Sequence, residues 1–110
     1  MIKAIPEFNE DVICSRSGDD IYTNIPQRII YHSPDGFEWG YGGSGPADFA
    51  LNILSVFIGQ EKAFRYYQDF KWKFIASLPF EGGVILREDI ISWITENIKT
   101  EEWEEEDCYE

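Results

Sequence analysis

The stretch from residue 37 to residue 54 constrains the fold of this chain more than any other. An aromatic run, Phe-Glu-Trp-Gly-Tyr, leads into four glycines within six residues, and these are followed by Pro46 and a long apolar segment. Residues 37–41 alternate large aromatic side chains with small or charged ones, which predicts a strand with one aromatic face. Glycine permits a tight corner, and proline is favoured in the first turn of a helix. The pattern predicts a strand, a sharp turn and a helix in direct succession.

The glycine-rich loop has two interpretations. In the structural one, which we favour, the glycines let a strand turn sharply beneath aromatic side chains. In the functional one, backbone N–H groups and a hydroxyl bind an anion at the helix N-terminus while an aromatic ring stacks on a base. The residues of that candidate ligand loop are Trp39, Tyr41, Gly42, Gly43, Ser44 and Gly45. The spacing fits G-x-G-x-x-G, but the βαβ unit and downstream acidic residue of a dinucleotide fold do not follow.

The same stretch carries a family resemblance. Residues 32–54 read HSPDGFEWGYGGSGPADFALNIL and residues 67–79 read YQDFKWKFIASLP. Together they resemble an uncharacterised small domain family of bacteria, plasmids and phages, with the motif HSPxGFEWGYGGSGPA…YQDFKW, over residues 28–95. The resemblance implies a phage or mobile-element setting and brings no established activity. The acidic end of this chain departs from the family pattern.

Acidic residues are concentrated at the C-terminal end. The chain has 110 residues and a net charge of −12, and residues 101–110 hold seven of the 21 acidic side chains with no basic one. Such a charge disfavours direct contact with nucleic acid and suits a partner protein with a basic surface. We expect one domain over residues 1–100, followed by an acidic tail. The candidate partner-binding residues are Glu101, Glu102, Trp103, Glu104, Glu105, Glu106 and Asp107, although the tail can equally be a solvated terminus.

Residue patterns elsewhere predict an α+β fold, with a small antiparallel sheet packed on two to three helices. Strand-like content at residues 11–15 and 27–31 predicts a hairpin or meander around the turn signal at 17–20. A helix is expected to start at Pro46, with Gly45 as its N-cap. Its polar side chains form one narrow stripe, so it should be the central helix or pack against another subunit in a homodimer.

The second half of the chain predicts three further elements. Residues 61–78 show charged residues of alternating sign at i, i+4 opposite an apolar side, which is typical of a helix. Residues 84–86 form a short apolar run and predict a strand. Residues 89–98 predict a final helix that buries its isoleucines and carries Trp93 at its margin.

Candidate catalytic groups are sparse. His32, the sole histidine, could act as a general base, but we favour a turn residue beside Ser33-Pro34-Asp35-Gly36 because no partner nucleophile is visible. Cys14 and Cys108 lie near opposite ends without a zinc pattern. We therefore expect no enzyme activity, no metal and no cofactor. The absence of a signal peptide and of a long apolar run predicts a cytoplasmic protein with no membrane contact.

Together these features predict a non-enzymatic acidic protein from a phage or mobile element. It would bind and inhibit a host defence protein, for example by nucleic-acid mimicry, as an anti-CRISPR or anti-restriction protein does. The alternative is a small-molecule binder, such as a sponge for a nucleotide signal, that uses the glycine-rich loop.

Overall fold

The computed structural model describes residues 8–33 and 36–98, which fold into one small α+β domain. A three-stranded antiparallel sheet is combined with three α-helices, as the sequence predicts. In chain order the elements are β1 (Val12–Ser17), β2 (Asp20–Thr23), α1 (Ser44–Ile58), α2 (Gln60–Phe70), a π-helical turn (Lys71–Ile75), β3 (Gly82–Ile85) and α3 (Arg87–Asn97). Within the described residues, no helix is long and apolar enough to cross a bilayer.

Strand β1 lies at the centre of the sheet, between β2 and β3. Its hairpin with β2 closes where Ser17 pairs with Asp20, and Gly18 adopts a positive φ of 62° in the turn. On the other side, Ile13 pairs with Val84 of β3. The predicted turn at 17–20 is therefore confirmed, but the second strand of the hairpin follows immediately.

The prediction of a strand at residues 27–31 is wrong. This segment runs irregularly beside α1, where side chains of the helix bind its backbone. Asn52 Oδ1 accepts the N–H groups of Arg28 and Ile29, both at 2.9 Å. The Asp48 carboxylate accepts the N–H groups of Tyr31, His32 and Ser33 at 2.9–3.1 Å. Since these buried side chains satisfy the backbone, the segment needs no strand partner.

Helix α1 is the centre of the core. It begins at Ser44 with Gly43 as N-cap, two residues before the predicted start, and 13 of its 15 residues are buried. The polar stripe is covered as well, because Asp48 and Asn52 are completely enclosed by the segment that they bind. The apolar face that suggested packing against another subunit is thus buried within the chain itself.

Residues 37–41 do not form the predicted aromatic strand. They lie across α1 with Phe37 stacked on Phe49 at 4.9 Å between ring centroids. Gly40 donates its N–H to the Ile75 carbonyl at 3.0 Å. Phe37 and Trp39 are therefore buried against Phe49 of the helix without a sheet neighbour, whereas Tyr41 stays exposed.

The predicted helix at 61–78 is α-helical only as far as Phe70. A π-helical turn follows, in which Ala76 N–H bonds to the Lys71 carbonyl five residues earlier, at 2.9 Å. Strand β3 and helix α3 lie within two residues of their predicted positions. Trp93, expected at the margin of α3, is buried in the core, where it meets Phe70 edge to face.

Candidate functional site around the glycine-rich loop

Each glycine of the loop has a packing reason to lack a side chain. A Cβ on Gly42 would overlap the Trp72 ring, and one on Gly43 would overlap the ring of Tyr41. Gly45 lies inside α1, where a Cβ would come within 2.7 Å of the Glu38 Cβ. The loop is therefore a crowded corner beneath aromatic side chains, which supports the structural interpretation.

Arg16, on β1, ties the loop to the rest of the domain. Its two terminal nitrogens donate to the two Glu38 carboxylate oxygens at 3.0 and 2.6 Å, and its Nε donates to the Phe80 carbonyl at 2.7 Å. The guanidinium lies 4.0 Å from the Phe80 ring centroid and 4.6 Å from that of Trp39. These hydrogen bonds hold the pKa of Glu38 below its usual range and raise the pKa of Arg16.

A second cation supports the loop from the helix side. Lys71, at the start of the π-helical turn, is buried and donates from Nζ to the Gly42 carbonyl at 3.2 Å. The same ammonium lies 4.5 Å from the ring centroid of Trp72. The π-helical turn therefore places two neighbouring side chains, one cationic and one aromatic, against a single peptide of the loop.

Three large aromatic side chains remain exposed around this corner. Tyr41 is 53% exposed, Trp72 61% and Phe80 70%. We call these three residues the aromatic platform. Tyr41 and Phe80 flank an open depression of about 290 Å³, whose floor includes Gly40 and the buried indole below it. Two of its rings lie where a Cβ on Gly42 or Gly43 would overlap them, and the third lies on a guanidinium.

The predicted ligand loop is only partly available to a ligand. Trp39 is 2% exposed, its indole N–H donates to the Phe80 carbonyl at 3.1 Å, and its ring packs against Phe49 and Arg16. It cannot stack on a base in this arrangement, which leaves Tyr41 as the accessible aromatic of the pair. Ser44 is exposed as the first residue of α1.

Sequence reasoning missed Trp72 and Phe80. Trp72 lies between two lysines and outside the apolar side of the predicted helix. A tryptophan on the polar side of a helix indicates an exposed aromatic side chain, and this signal could have identified it. Phe80 follows a helix-ending proline, and nothing local shows that its backbone is held by Arg16 from a distant strand. The acidic segment 101–107, the other predicted contact region, lies outside the described residues.

The family assignment rests on the whole domain rather than on the loop. A family model matches residues 7–96, from before β1 into the last turn of α3. This chain belongs to DUF6166, a family of unknown function. The predicted resemblance to an uncharacterised domain family is confirmed at that level. Comparisons with curated proteins and with solved structures found no match.

Other chemically active side chains of this DUF6166 domain are dispersed. His32 Nε2 lies 2.6 Å from the Tyr67 hydroxyl in an aromatic cluster with Tyr31 and Phe64. Cys14 is buried, and burial raises the pKa of its thiol. Among the described residues, no group of three or more histidine, cysteine or acidic side chains could hold a metal ion. The aromatic platform is therefore the surface feature with the clearest chemical character.

Proposed function

We propose that this DUF6166 domain is a non-catalytic protein-binding domain and that its partner contacts the aromatic platform. The observation that carries the proposal is the exposure of three large rings, 53–70%, around one tightly packed corner. Exposed apolar patches on small proteins mark interaction sites, and Trp and Tyr are enriched among residues that dominate binding energy. Preorganised side chains lose little conformational entropy when a partner docks.

The charge of the chain supports a basic partner. A net charge of −12 attracts a positively charged surface and accelerates its encounter. In our proposal the carboxylates of residues 101–107 contribute to that attraction, and Trp103 anchors among them. The host target is a nucleic-acid-handling protein, such as a CRISPR or restriction nuclease, whose basic site the acidic chain occupies and thereby inhibits.

The alternative, a nucleotide-signal binder, has less support in the geometry. Trp39 is buried, and Gly42 and Gly43 lie beneath aromatic rings. The Arg16 guanidinium, the nearest cation to Tyr41 in the depression, already binds Glu38 on both terminal nitrogens. A nucleotide would therefore have to displace contacts that the domain makes with itself.

The proposal is tested by capture of host proteins on the immobilised full-length chain. The platform variants are Trp72→Ala and Phe80→Ala, and Tyr22→Ala is the matched control because Tyr22 is an exposed aromatic on β2. We expect a specific, salt-sensitive partner with the wild type and the control, and at least about tenfold weaker binding with either platform variant. Equal retention by all four proteins would contradict the platform as the contact surface. A rise in melting temperature with a panel of nucleotides would favour the alternative.

A further inference from the structure

We propose that the aromatic platform binds a proline-rich, extended segment of the partner protein. This inference rests on the proposed function and names the chemistry of the group that docks. Two properties of the platform support it: the ring faces that remain free and the hydrogen-bonding groups that remain free.

The inner faces of two platform rings already contact cations. The Arg16 guanidinium lies 4.0 Å from the Phe80 ring centroid, and the Lys71 ammonium lies 4.5 Å from that of Trp72. A ring attracts a cation through the negative potential of its face. A cation on one face draws that electron density inward and repels a second positive charge on the other face. The exposed outer faces therefore favour a neutral apolar group over a partner lysine or arginine.

The platform offers two hydrogen-bond donors, of which the Tyr41 hydroxyl can also accept, while one carboxylate and two carbonyl groups beside it already accept hydrogen bonds. Neither the Trp72 indole N–H nor the Tyr41 hydroxyl bonds to any residue in the described part of the chain, and both side chains are more than half exposed. Three neighbouring acceptor groups already receive hydrogen bonds. Glu38 is bound on both oxygens by Arg16, the Phe80 carbonyl accepts two N–H groups, and the Gly42 carbonyl accepts Lys71.

A segment with apolar sides and free carbonyl groups therefore complements the platform, and one with few N–H donors leaves the fewest of its own polar groups unpaired. Proline has no backbone N–H, and a polyproline II helix leaves every carbonyl unpaired within the segment. Its conformation exists before binding, so little entropy is lost on docking, and aromatic surfaces with Trp and Tyr donors recognise such segments in other proteins. Basic residues on either side of the prolines would suit the net charge of −12.

The test is an NMR titration of the full-length chain with synthetic peptides that have blocked ends. The probe is an oligoproline with a lysine at each end, and the matched control is a Gly-Ser repeat of equal length and charge. We expect the oligoproline to shift the Trp72 indole resonance and the Tyr41 and Phe80 ring resonances, and the Gly-Ser peptide to leave them unchanged. Trp72→Phe, which keeps a ring but removes the N–H, should weaken binding about fivefold, the worth of one neutral hydrogen bond. Tyr22→Ala should bind as the wild type does.

The outcomes separate this inference from the proposed function. Equal shifts with both peptides, or shifts centred on the outer sheet residues Ile13 and Val84, overturn the proline-rich assignment. The proline-rich assignment is also overturned if millimolar oligoproline causes no shifts while capture of a partner still depends on Trp72. In that case the proposed function stands. If sedimentation shows that the wild type is a dimer and Trp72→Ala a monomer, the platform binds a second copy of the chain, and the proline-rich assignment is overturned. Gly42→Ala, which forces the Trp72 ring to move, should weaken oligoproline binding without unfolding the domain.

Discussion

At the scale of single residues, Arg16 determines the shape of the surface. Its three side-chain nitrogens bind one carboxylate and one carbonyl, so β1, the segment before α1 and the turn before β3 are fixed to one another. The same guanidinium supports the ring of Phe80. A residue that looks like an ordinary strand arginine in the sequence thus positions an exposed aromatic ring.

Glu38→Gln should change how stability depends on pH. The hydrogen bonds from Arg16 lower the pKa of Glu38 in the folded state, so the unfolded state takes up a proton first as pH falls. The stabilisation is therefore complete above the ordinary pKa of a glutamate and is lost as pH falls through the lowered one. We expect the wild type to be more stable than Glu38→Gln by about 1 kcal/mol at neutral pH. Urea titrations should show this difference shrinking between about pH 5 and pH 3. The control is Glu96→Gln, because Glu96 is an exposed glutamate of α3. A loss of stability in Glu38→Gln that does not change over this pH range, or that Glu96→Gln shows equally, would contradict the role of the Arg16–Glu38 pair.

Gly45→Val should destabilise the domain by about 1–3 kcal/mol, the usual cost of overpacking. The reason is contact rather than backbone strain, since a Cβ there meets Glu38 at 2.7 Å and Gly45 does not have a positive φ. Gly83→Val is the control, because a Cβ at Gly83 only touches Leu78 at 3.6 Å and strands favour branched residues. Chemical denaturation measures both. Equal midpoints would show that the close approach at Gly45 is not needed.

At the scale of elements, helix α1 acts as a template for the irregular segment beside it. Two of its side chains, Asp48 and Asn52, bind five backbone N–H groups of residues 28–33. This arrangement replaces a sheet ladder with side-chain acceptors one helical turn apart. It also places the His32–Tyr67 contact at a fixed position on the surface.

Asp48→Asn should destabilise the domain by about 1–3 kcal/mol, because an amide group would replace one oxygen that accepts buried N–H groups. Hydrogen exchange should become faster at the amides of residues 31–33. Ser55→Ala is the control from the same polar stripe, since its hydroxyl donates only to the Asn52 carbonyl at 3.1 Å. It should change stability by no more than about 0.5 kcal/mol. Unchanged exchange at residues 31–33 in Asp48→Asn would mean that the carboxylate does not hold the segment.

The elements that sequence patterns predicted are those whose signals are local. The β-turn at Gly18, the helix near Pro46 and the last helix follow from turn residues and apolar periodicity. Residues 27–31 and 37–41 have strand-like content but bind or pack on α1, and that partner is distant in the sequence. The π-helical turn was missed because a pattern of 3.6 residues per turn does not reveal one i→i+5 turn. The glycine loop was found from its composition, whereas Trp72 and Phe80 required the tertiary structure to reveal their exposure.

At the scale of the whole molecule, the fold and the charge are separable. The described core ends at Ile98, which is buried at the end of α3, while seven acidic side chains follow at residues 101–110. The family match also stops at residue 96. We therefore expect folding to depend on residues before the acidic segment and the long-range electrostatic field to depend strongly on those within it.

Deleting residues 101–110 should leave the free energy of unfolding within about 0.5 kcal/mol of the wild type. It should also slow association with a basic partner and flatten the dependence of the on-rate on salt, since exposed charges are screened within about 8 Å at physiological ionic strength. Stopped-flow kinetics across salt concentrations measure this. A full-length variant with glutamine at Glu104, Glu105 and Glu106 removes charge but keeps the chain length, so it separates the effect of charge on the on-rate from that of length. Identical salt dependence in all three proteins would place the electrostatic attraction on the folded domain.

The π-helical turn makes the platform sensitive to chain length as well as to residue type. A π-helical turn accommodates one residue more than an α-helical turn, and each α-helical residue rotates the chain by about 100°. Deleting Lys73, which is exposed, would therefore restore an α-helical register and rotate the residues after the turn by about 100° relative to α2, although no core side chain had been replaced. The gain or loss of one residue at that turn would therefore change where Trp72 lies relative to the residues that follow it, and with it the shape of the surface that we propose as the contact site.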